Sequence, residues 1–515
     1  MLLPVSDFKT KKVRAALKSV LKGLKLALKL PRNMTNAVQL SLFLPDRFDV
    51  LERRAKKHDL RSIVVAVPDS LSYIDDLYSD MDSAGRGAFL VFRGESGSGK
   101  STFLHTLYLF KEDVKTYSIL QEKTVADSLK EFGRANESLR VLVVEGREAL
   151  TDFSEEILEK ELHAINTFIR SASGEKTLIV WTCNTDDLQS RLITLAGRIG
   201  AESLLGVGEG SYRFSGPPKN LYLQIANKTL EALNEGASLI DLGIAEEQAS
   251  ELVKRVNTIG TYLALLRQEI RQSQSITKSL LDKEQCRVWT VVIAGNDPEK
   301  DTAALTRGSL FSADISCLMS STEANIVEEI KTFPDKIGVL ATILDAKILH
   351  LPVLSALAIA KQYADTELRL KMKENSMALS ADPKVLQRLN DSEVAKALKA
   401  QGRGIGRRGK PIGSNTVAAF DKLASIAREQ DGLLNKAVGE ALQKNGLIHS
   451  FETEVDFTGH GLNFKSDLVC QTETGPIRLE MMWRKTTSRA EISNYVLTKL
   501  YNYGRAIGLL QANQS

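Results

Sequence analysis

The sequence predicts an α/β protein: a parallel sheet built around a phosphate-binding P-loop, with a helical lid, a helical middle region and a small C-terminal α/β unit. Three observations carry this. Residues 94–101 read Gly-Glu-Ser-Gly-Ser-Gly-Lys-Ser, between the apolar run Ala88–Phe92 and a helix-forming run that starts at Thr102. Residues 86–215 alternate β-branched runs with amphipathic ones, the pattern of a parallel sheet covered by helices. Residues 415–515 read helix, three strands, helix, with acids on neighbouring strands.

A chain of 515 residues is too long for one core, so several domains are expected. Its four cysteines (Cys183, Cys286, Cys317, Cys470) have no paired spacing. That argues against a disulfide framework or a zinc site and suits a reducing cytoplasm. No apolar run approaches the length of a bilayer span and the N-terminus lacks a signal pattern, so the expectation is a cytoplasmic protein without a membrane partner.

The net charge of +4 is unevenly spread. Between Asp7 and Asp46 there is no acidic residue, whereas Lys11, Lys18, Lys22, Lys25 and Lys29 would share one stripe of a helix, next to Leu17, Leu21, Leu24 and Leu28. Lys18, Lys22 and Lys25 are therefore candidates for nucleic-acid phosphate. The competing reading is the solvated face of a helix packed on the protein body. The whole of 1–85 reads as a basic helical region with one strand, 62–67, before a helix opening at Pro68-Asp69-Ser70.

The elements follow in order. Residues 86–215 would form the P-loop core, with strands at 88–92, 115–118, 140–145 and 177–183. Residues 216–280 have no strand signal and would form a lid. A strand at 286–294 opens a mostly helical middle region, 281–401, in which 337–363 is strongly apolar. Residues 402–414 are a Gly- and Arg-rich linker. Its Arg403, Arg407 and Arg408 could lie along a nucleic-acid backbone or simply keep a linker soluble. Residues 415–515 form the last unit.

The chemistry of the loop follows from its residues. Gly94, Gly97 and Gly99 let the backbone turn and approach an anion closely. The amides around Ser98 and Gly99 point into a concavity that suits phosphate oxygens. Lys100 would reach the β- and γ-phosphates, Ser101 would hold Mg²⁺ through its hydroxyl, and Thr102 completes the binding turn. The strand 140–145 ends in Glu145, with Glu148 three residues on, where a P-loop enzyme needs an acid to steer Mg²⁺ and water. Gly146 follows Glu145, which leaves open which of those two tasks Glu145 has. The strand 177–183 ends at Asn184. This order of P-loop, acidic strand and Asn-ended strand resembles the AAA+ and related STAND-like ATPases across about residues 86–270. The resemblance implies ATP and Mg²⁺ as cofactors, γ-phosphate sensing by Asn184, hydrolysis, and an arginine supplied by a neighbour (Arg191 or Arg198) or by the lid (Arg255 or Arg267).

The C-terminal unit offers a second site. A helix over 431–446, strands at 450–457, 466–470 and 476–483, and a helix from about 488 to 503 place Asp467 and Glu480 on adjacent strands. Together these features resemble the PD-(D/E)XK fold of restriction-type nucleases. The resemblance implies that Asp467 and Glu480 bind Mg²⁺, which activates water on a phosphodiester. Where that family has its lysine this chain has Met482; Lys485, or Lys499 on the next helix, could supply the amine, and Glu440 an accessory acid. The two resemblances together imply an ATP-hydrolysing protein acting on nucleic acid, DNA first, in which ATP gates a metal-dependent nuclease-like domain. Such fusions resemble components of antiphage defence or restriction systems, working as homo-oligomers or with other defence proteins. The alternative is an ATPase switch or loader whose degenerate nuclease-fold domain only binds DNA or a partner protein.

Overall fold

The computed structural model describes residues 42–148, 154–205, 210–281, 286–403 and 412–510. The basic stripe with Lys18, Lys22 and Lys25, and the linker residues Arg407 and Arg408, lie outside these residues.

The chain is a mixed α/β protein with two sheets. The first has five parallel strands, β1 (Ala88–Arg93), β2 (Val114–Ile119), β3 (Leu139–Val144), β4 (Thr177–Cys183) and β5 (Ser211–Arg213), in the order β2-β3-β4-β1-β5. β3 and β4 are buried along their whole length, and β1 along all but its ends. That is why they read as continuous apolar runs rather than alternating ones. β5 has three residues and no apolar run, and the sequence gives it no signal. From β1 the chain crosses to the far edge, β2, returns through β3 and β4 to lie beside β1, and then places β5 on the other side of β1. The strand order therefore reverses at β1, and the P-loop leaves the carboxyl end of that strand. In parallel sheets, that reversal is where the crevice for a ligand opens.

Upstream, the expected strand 62–67 is not one. Ser62 and Ile63 end the helix Lys57–Ile63, and 64–67 run extended without a ladder partner. A β-branched run favours extended backbone, but it forms a strand only where a sheet edge is open to it. Here Val65 and Val67 pack against the lid and the first sheet instead, and Pro68 starts the helix Pro68–Ala84.

Residues 216–280 fold as helices Tyr222–Leu233, Glu246–Lys254 and Ile259–Leu280 around their own apolar core. The N-terminal segment is stitched to this unit. Asn234 exchanges two hydrogen bonds with the Phe43 backbone, both at 2.9 Å, and Arg267 donates to the Leu44 carbonyl at 2.7 Å.

The second sheet departs from the expected division. Its strands are β6 (Arg287–Ala294), β7 (Thr306–Arg307), β8 (Ser312–Ala313), β9 (Lys347–His350), β10 (Ser450–Gly459), β11 (Leu462–Thr472) and β12 (Gly475–Arg484). Their order is β10-β11-β12-β6-β9-β8-β7. The expected boundary at 402–414 therefore does not separate two sheets, because β12 pairs in parallel with β6 from Ile477–Arg287 to Arg484–Ala294. The long apolar run 337–363 is not all helix either. It contains β9 between the helices Pro334–Ile343 and Val353–Tyr363, since a buried strand and a buried helix share the same apolar composition. Helix Ser414–Lys444, kinked at Gln430, covers one face of this sheet and helix Arg489–Ala506 the other. The latter opens with a capping box between Ser488 and Glu491.

The lid and the second sheet meet at a buried joint. A side chain at Gly338 would overlap the Ile240 carbonyl, so the two backbones touch there. Beside them Arg307 Nε lies 3.3 Å from Asp241 Oδ2, both side chains buried, and Ser238 adds two hydrogen bonds to that carboxylate at 2.9 Å. Removing one partner of a buried pair strands the other charge. We expect Arg307→Ala to cost on the order of 3 kcal/mol, and Arg307→Met combined with Asp241→Asn to recover most of it. Denaturant midpoints of the single and double variants check this; additive losses would contradict it.

Candidate functional site

The P-loop is held from three sides. Gly94 N–H donates to the Cys183 carbonyl of β4 at 3.1 Å, which ties the start of the loop to the strand that ends at Asn184. Gly97 and Gly99 both have left-handed backbones, with φ of 79° and 95°, so these two positions need glycine. Gly99 is also the residue from which helix Lys100–His105 starts. The third side is the lid. Gly260 N–H, in the first turn of helix Ile259–Leu280, donates to the Gly97 carbonyl at 2.9 Å. A Cβ on Gly260 would come within 2.9 Å of Gly97 Cα. Thr258 caps that helix and faces the loop, 3.0 Å from where a Gly97 side chain would begin.

Lys100 folds back into the loop. Its ammonium donates to the carbonyls of Gly94 and Glu95 at 2.7 and 3.0 Å and to Asn184 Oδ1 at 2.7 Å. Burial lowers the ammonium to about 8, against the opposing pull of Cys183 and Glu148. The side chain of Ser98 is buried with no hydrogen-bond partner among the described residues. Thr102 lies on the first turn of the helix, and its carbonyl accepts from the Thr106 hydroxyl at 2.6 Å.

The two acids after β3 divide. Glu145 lies on the Ser101 side. Burial pushes its carboxyl up, but hydrogen bonds from His105 (3.1 Å), Ser118 and Ser101 bring it below the usual range. Glu148 lies on the Lys100 side. Its carboxylate accepts from Gly146 N–H at 3.0 Å, is 3.5 Å from the Thr182 hydroxyl, and acts on the Lys100 charge; its carbonyl accepts from Asn184 N–H at 2.8 Å. Sequence reading had no signal for His105, which fills the space between the helix and Glu145. Of the arginines considered, Arg198 pairs with Glu155 on the surface and Arg267 is engaged by Leu44 and Asp46.

On the second sheet, the β11–β12 ladder runs from Thr472–Gly475 to Leu468–Leu479 and stops. The next pair in register is Asp467 and Glu480. There the backbones part, and Met481 N–H donates to Asp467 Oδ2 at 2.6 Å in place of a ladder bond. The opening is filled from helix Arg489–Ala506: Lys499 forms an ion pair with Glu480 Oε2, and the Tyr503 hydroxyl donates to Glu480 Oε1 at 3.0 Å. Lys499 also lies 5.4 Å from the Tyr495 ring centroid. Tyr495, Lys499 and Tyr503 are spaced four apart, so one helix face supplies all three. Tyr503 continues through Ser466 (2.8 Å) to the buried guanidinium of Arg478 (2.8 Å).

The expected assignments around this pair need correction. Lys485 is exposed beyond the end of β12 and makes no ion pair with either acid among the described residues; a strand leading straight out of the sheet cannot turn its side chain back. Lys499 stands beside the acids instead. Glu440 pairs with Lys444 one helical turn away, at 2.9 Å. The helix acid that acts electrostatically on Asp467 is Asp431, next to the kink at Gln430. Arg403 is engaged within the fold: its guanidinium donates to Glu393 and Thr306, both at 2.9 Å, and stacks over Phe311.

Among the described residues no three or more His, Cys, Asp or Glu side chains are grouped as a ready-made metal cage. Two carboxylates on adjacent strands are the donor set that Mg²⁺ takes when water and substrate oxygens supply the rest. Burial, together with the charge of Glu480, raises the Asp467 carboxyl to about 7, and a divalent cation would relieve that repulsion.

No protein-family model matches the sequence, and no curated protein matches it. Among solved structures, the chain is similar to a DNA polymerase III gamma subunit-related protein from Thermotoga maritima, at 12% identity, covering 69% of this chain and 98% of that one with a TM-score of 0.22. A score that low carries no argument, and the site rests on its own geometry. No helix among the described residues is long and apolar enough to cross a membrane.

A carboxyl whose pKa is raised in the fold favours folding below its unfolded value and loses that contribution as pH rises through its folded value. For Asp467 the loss spans 3.8 to about 7. Asp467→Asn, which cannot ionise, is expected to melt near wild type at pH 4 and above it at pH 8 in chelator. Coincident melts at pH 8 would refute the burial argument.

Proposed function

We propose that the chain is an ATP-hydrolysing switch whose nucleotide state governs a nuclease-like carboxylate site acting on nucleic acid. The observation that carries the first half is the contact of Lys100 Nζ with Asn184 Oδ1 at 2.7 Å, at the point where the parallel strand order reverses. A cation and a polar strand-end residue converge there on a loop whose glycines leave its amides open to phosphate. Lys100 would move from its own loop carbonyls onto the β- and γ-phosphates. Ser101 and Glu145 would hold Mg²⁺, which supplies charge neutralisation at those oxygens. Glu148, beside Lys100 and Thr182, is the acid poised to orient the attacking water, with Asn184 sensing the γ-phosphate. The lid meets this loop through Gly260, so a change at Gly97 reaches the lid directly.

The second half rests on the break between β11 and β12. Asp467 and Glu480 would hold a divalent cation, which supplies Lewis acidity to a phosphodiester. Lys499 then acts from the helix in the role that Met482 cannot fill, and Tyr503 keeps Glu480 oriented. One observation favours the alternative, a module that binds without cutting: Glu480 has no solvent exposure and both its oxygens are engaged.

Phosphate-release assays test the first half. Lys100→Ala should abolish ATP binding, whereas Glu148→Gln should keep binding and lose about 100-fold or more in turnover. Wild-type turnover by Lys100→Ala would sink the proposal. A Mg²⁺-dependent cleavage assay on single- and double-stranded DNA and RNA tests the second. Asp467→Ala and Lys499→Met should abolish cutting and Lys485→Met should not. Strands bound but left intact by the wild type would decide for the binding-only module.

A further inference from the structure

Two adjoining cavities, of about 380 and 660 Å³, flank the outer side of helix Arg489–Ala506 and share Asn494, Thr498 and Asn502. These residues are four apart, so they form one row along the helix, about 12 Å long at 1.5 Å per residue. The row does little for the fold. Thr498 donates to the Asn494 carbonyl at 2.7 Å, and the side-chain amides of Asn494 and Asn502 have no hydrogen-bond partner among the described residues. Cations stand at both ends, Arg484 and Lys499 in the first cavity and Arg505 in the second, and outnumber the two acids that share the lining, Glu491 and Glu329. Lys499 belongs to two places at once, the cavity wall and the ion pair with Glu480.

We propose that this row holds the sugar–phosphate backbone of a nucleic-acid strand and leads it to Asp467 and Glu480. The inference rests on the reading of those carboxylates as a phosphodiester site and adds the surface by which the substrate is held. Neutral amides and a hydroxyl flanked by arginines are the groups that bind phosphate and sugar oxygens without reading sequence. Phe464, Met482 and Tyr495 add apolar surface to the first cavity, on which a sugar or base of the strand can rest. A phosphate displaced along the row reaches Lys499 first, and Lys499 is the residue that must release Glu480 for the acid to take a cation.

The test is binding of short, fluorescently labelled single-stranded DNA and RNA to the full chain by anisotropy, at low salt and in chelator so that nothing is cut. Asn494→Asp combined with Asn502→Asp keeps the shape and sets two negative charges against the backbone. We expect at least a tenfold rise in Kd. Lys254→Asp, on an exposed lid helix, changes net charge by the same amount and should shift Kd less than twofold. Should the double variant melt early, Arg484→Glu at the end of the row provides the same comparison. Unchanged binding by these variants overturns the groove while the carboxylate reading stands. Failure of the wild type to bind any strand overturns both. Displacement of the strand by polyglutamate at equal charge concentration would assign the row to an acidic protein instead.

Discussion

The parallel pairing of β12 with β6 is the constraint on which the second half of the chain depends. It joins residues 477–484 to 287–294, segments separated by most of the helical middle region. Closing so long a connection costs only slightly more than closing a shorter one, because loop entropy grows with the logarithm of length. Two buried faces repay it. Trp289, Val291 and Ile293 meet helix Ser414–Lys444, while Val288, Val292 and Met482 meet helix Arg489–Ala506. Once β12 is central, its Glu480 is buried opposite Thr290, and only the helix above can reach it. The chemistry available to Glu480 is therefore set by which side chains that helix turns inward.

The lid has a comparable position between the two sheets. Its longest helix begins on the P-loop at Gly260, and its turn Ile240–Leu242 rests on helix Pro334–Ile343. Both contacts are made by glycines that admit backbone to backbone, so neither side has a flexible side chain to absorb a displacement. Leu340, on the far side of that helix, touches Gly504 of the helix that carries Lys499 and Tyr503. Packed interiors respond to displacement as units, and this chain of contacts is the route along which the proposed coupling between the P-loop and the carboxylate pair would run.

Much of the first sheet was legible in the sequence. β1, β3 and β4 are central strands, buried on both faces, and their apolar runs mark them to within a residue or two. The P-loop was legible because its glycines and Lys100 sit between a strand and a helix. β5 was not, because three residues leave no pattern, and β9 was hidden inside an apolar run that also codes for helices. Lys499 stood out less than Lys485, which lies nearer Glu480 along the chain; helical periodicity shows that Lys499 shares a face with Tyr503, but not that the face closes over Glu480. Asp431 was passed over for Glu440 because the kink at Gln430, which sets where the helix face turns, leaves no mark in composition.

By itself the sequence determined the local elements: the phosphate loop with its flanking strand and helix, the acid and Asn at the ends of β3 and β4, and two carboxylates on neighbouring strands near the C-terminus. These follow from steric preferences and periodicity over a few residues. Only the tertiary structure decided that the middle region and the C-terminal strands share a sheet, that the lid's helix sits on Gly97, and that Lys499 rather than Lys485 faces Glu480. Each of those is a pairing between distant segments, chosen by which buried faces fit together, and no short window of sequence contains both partners.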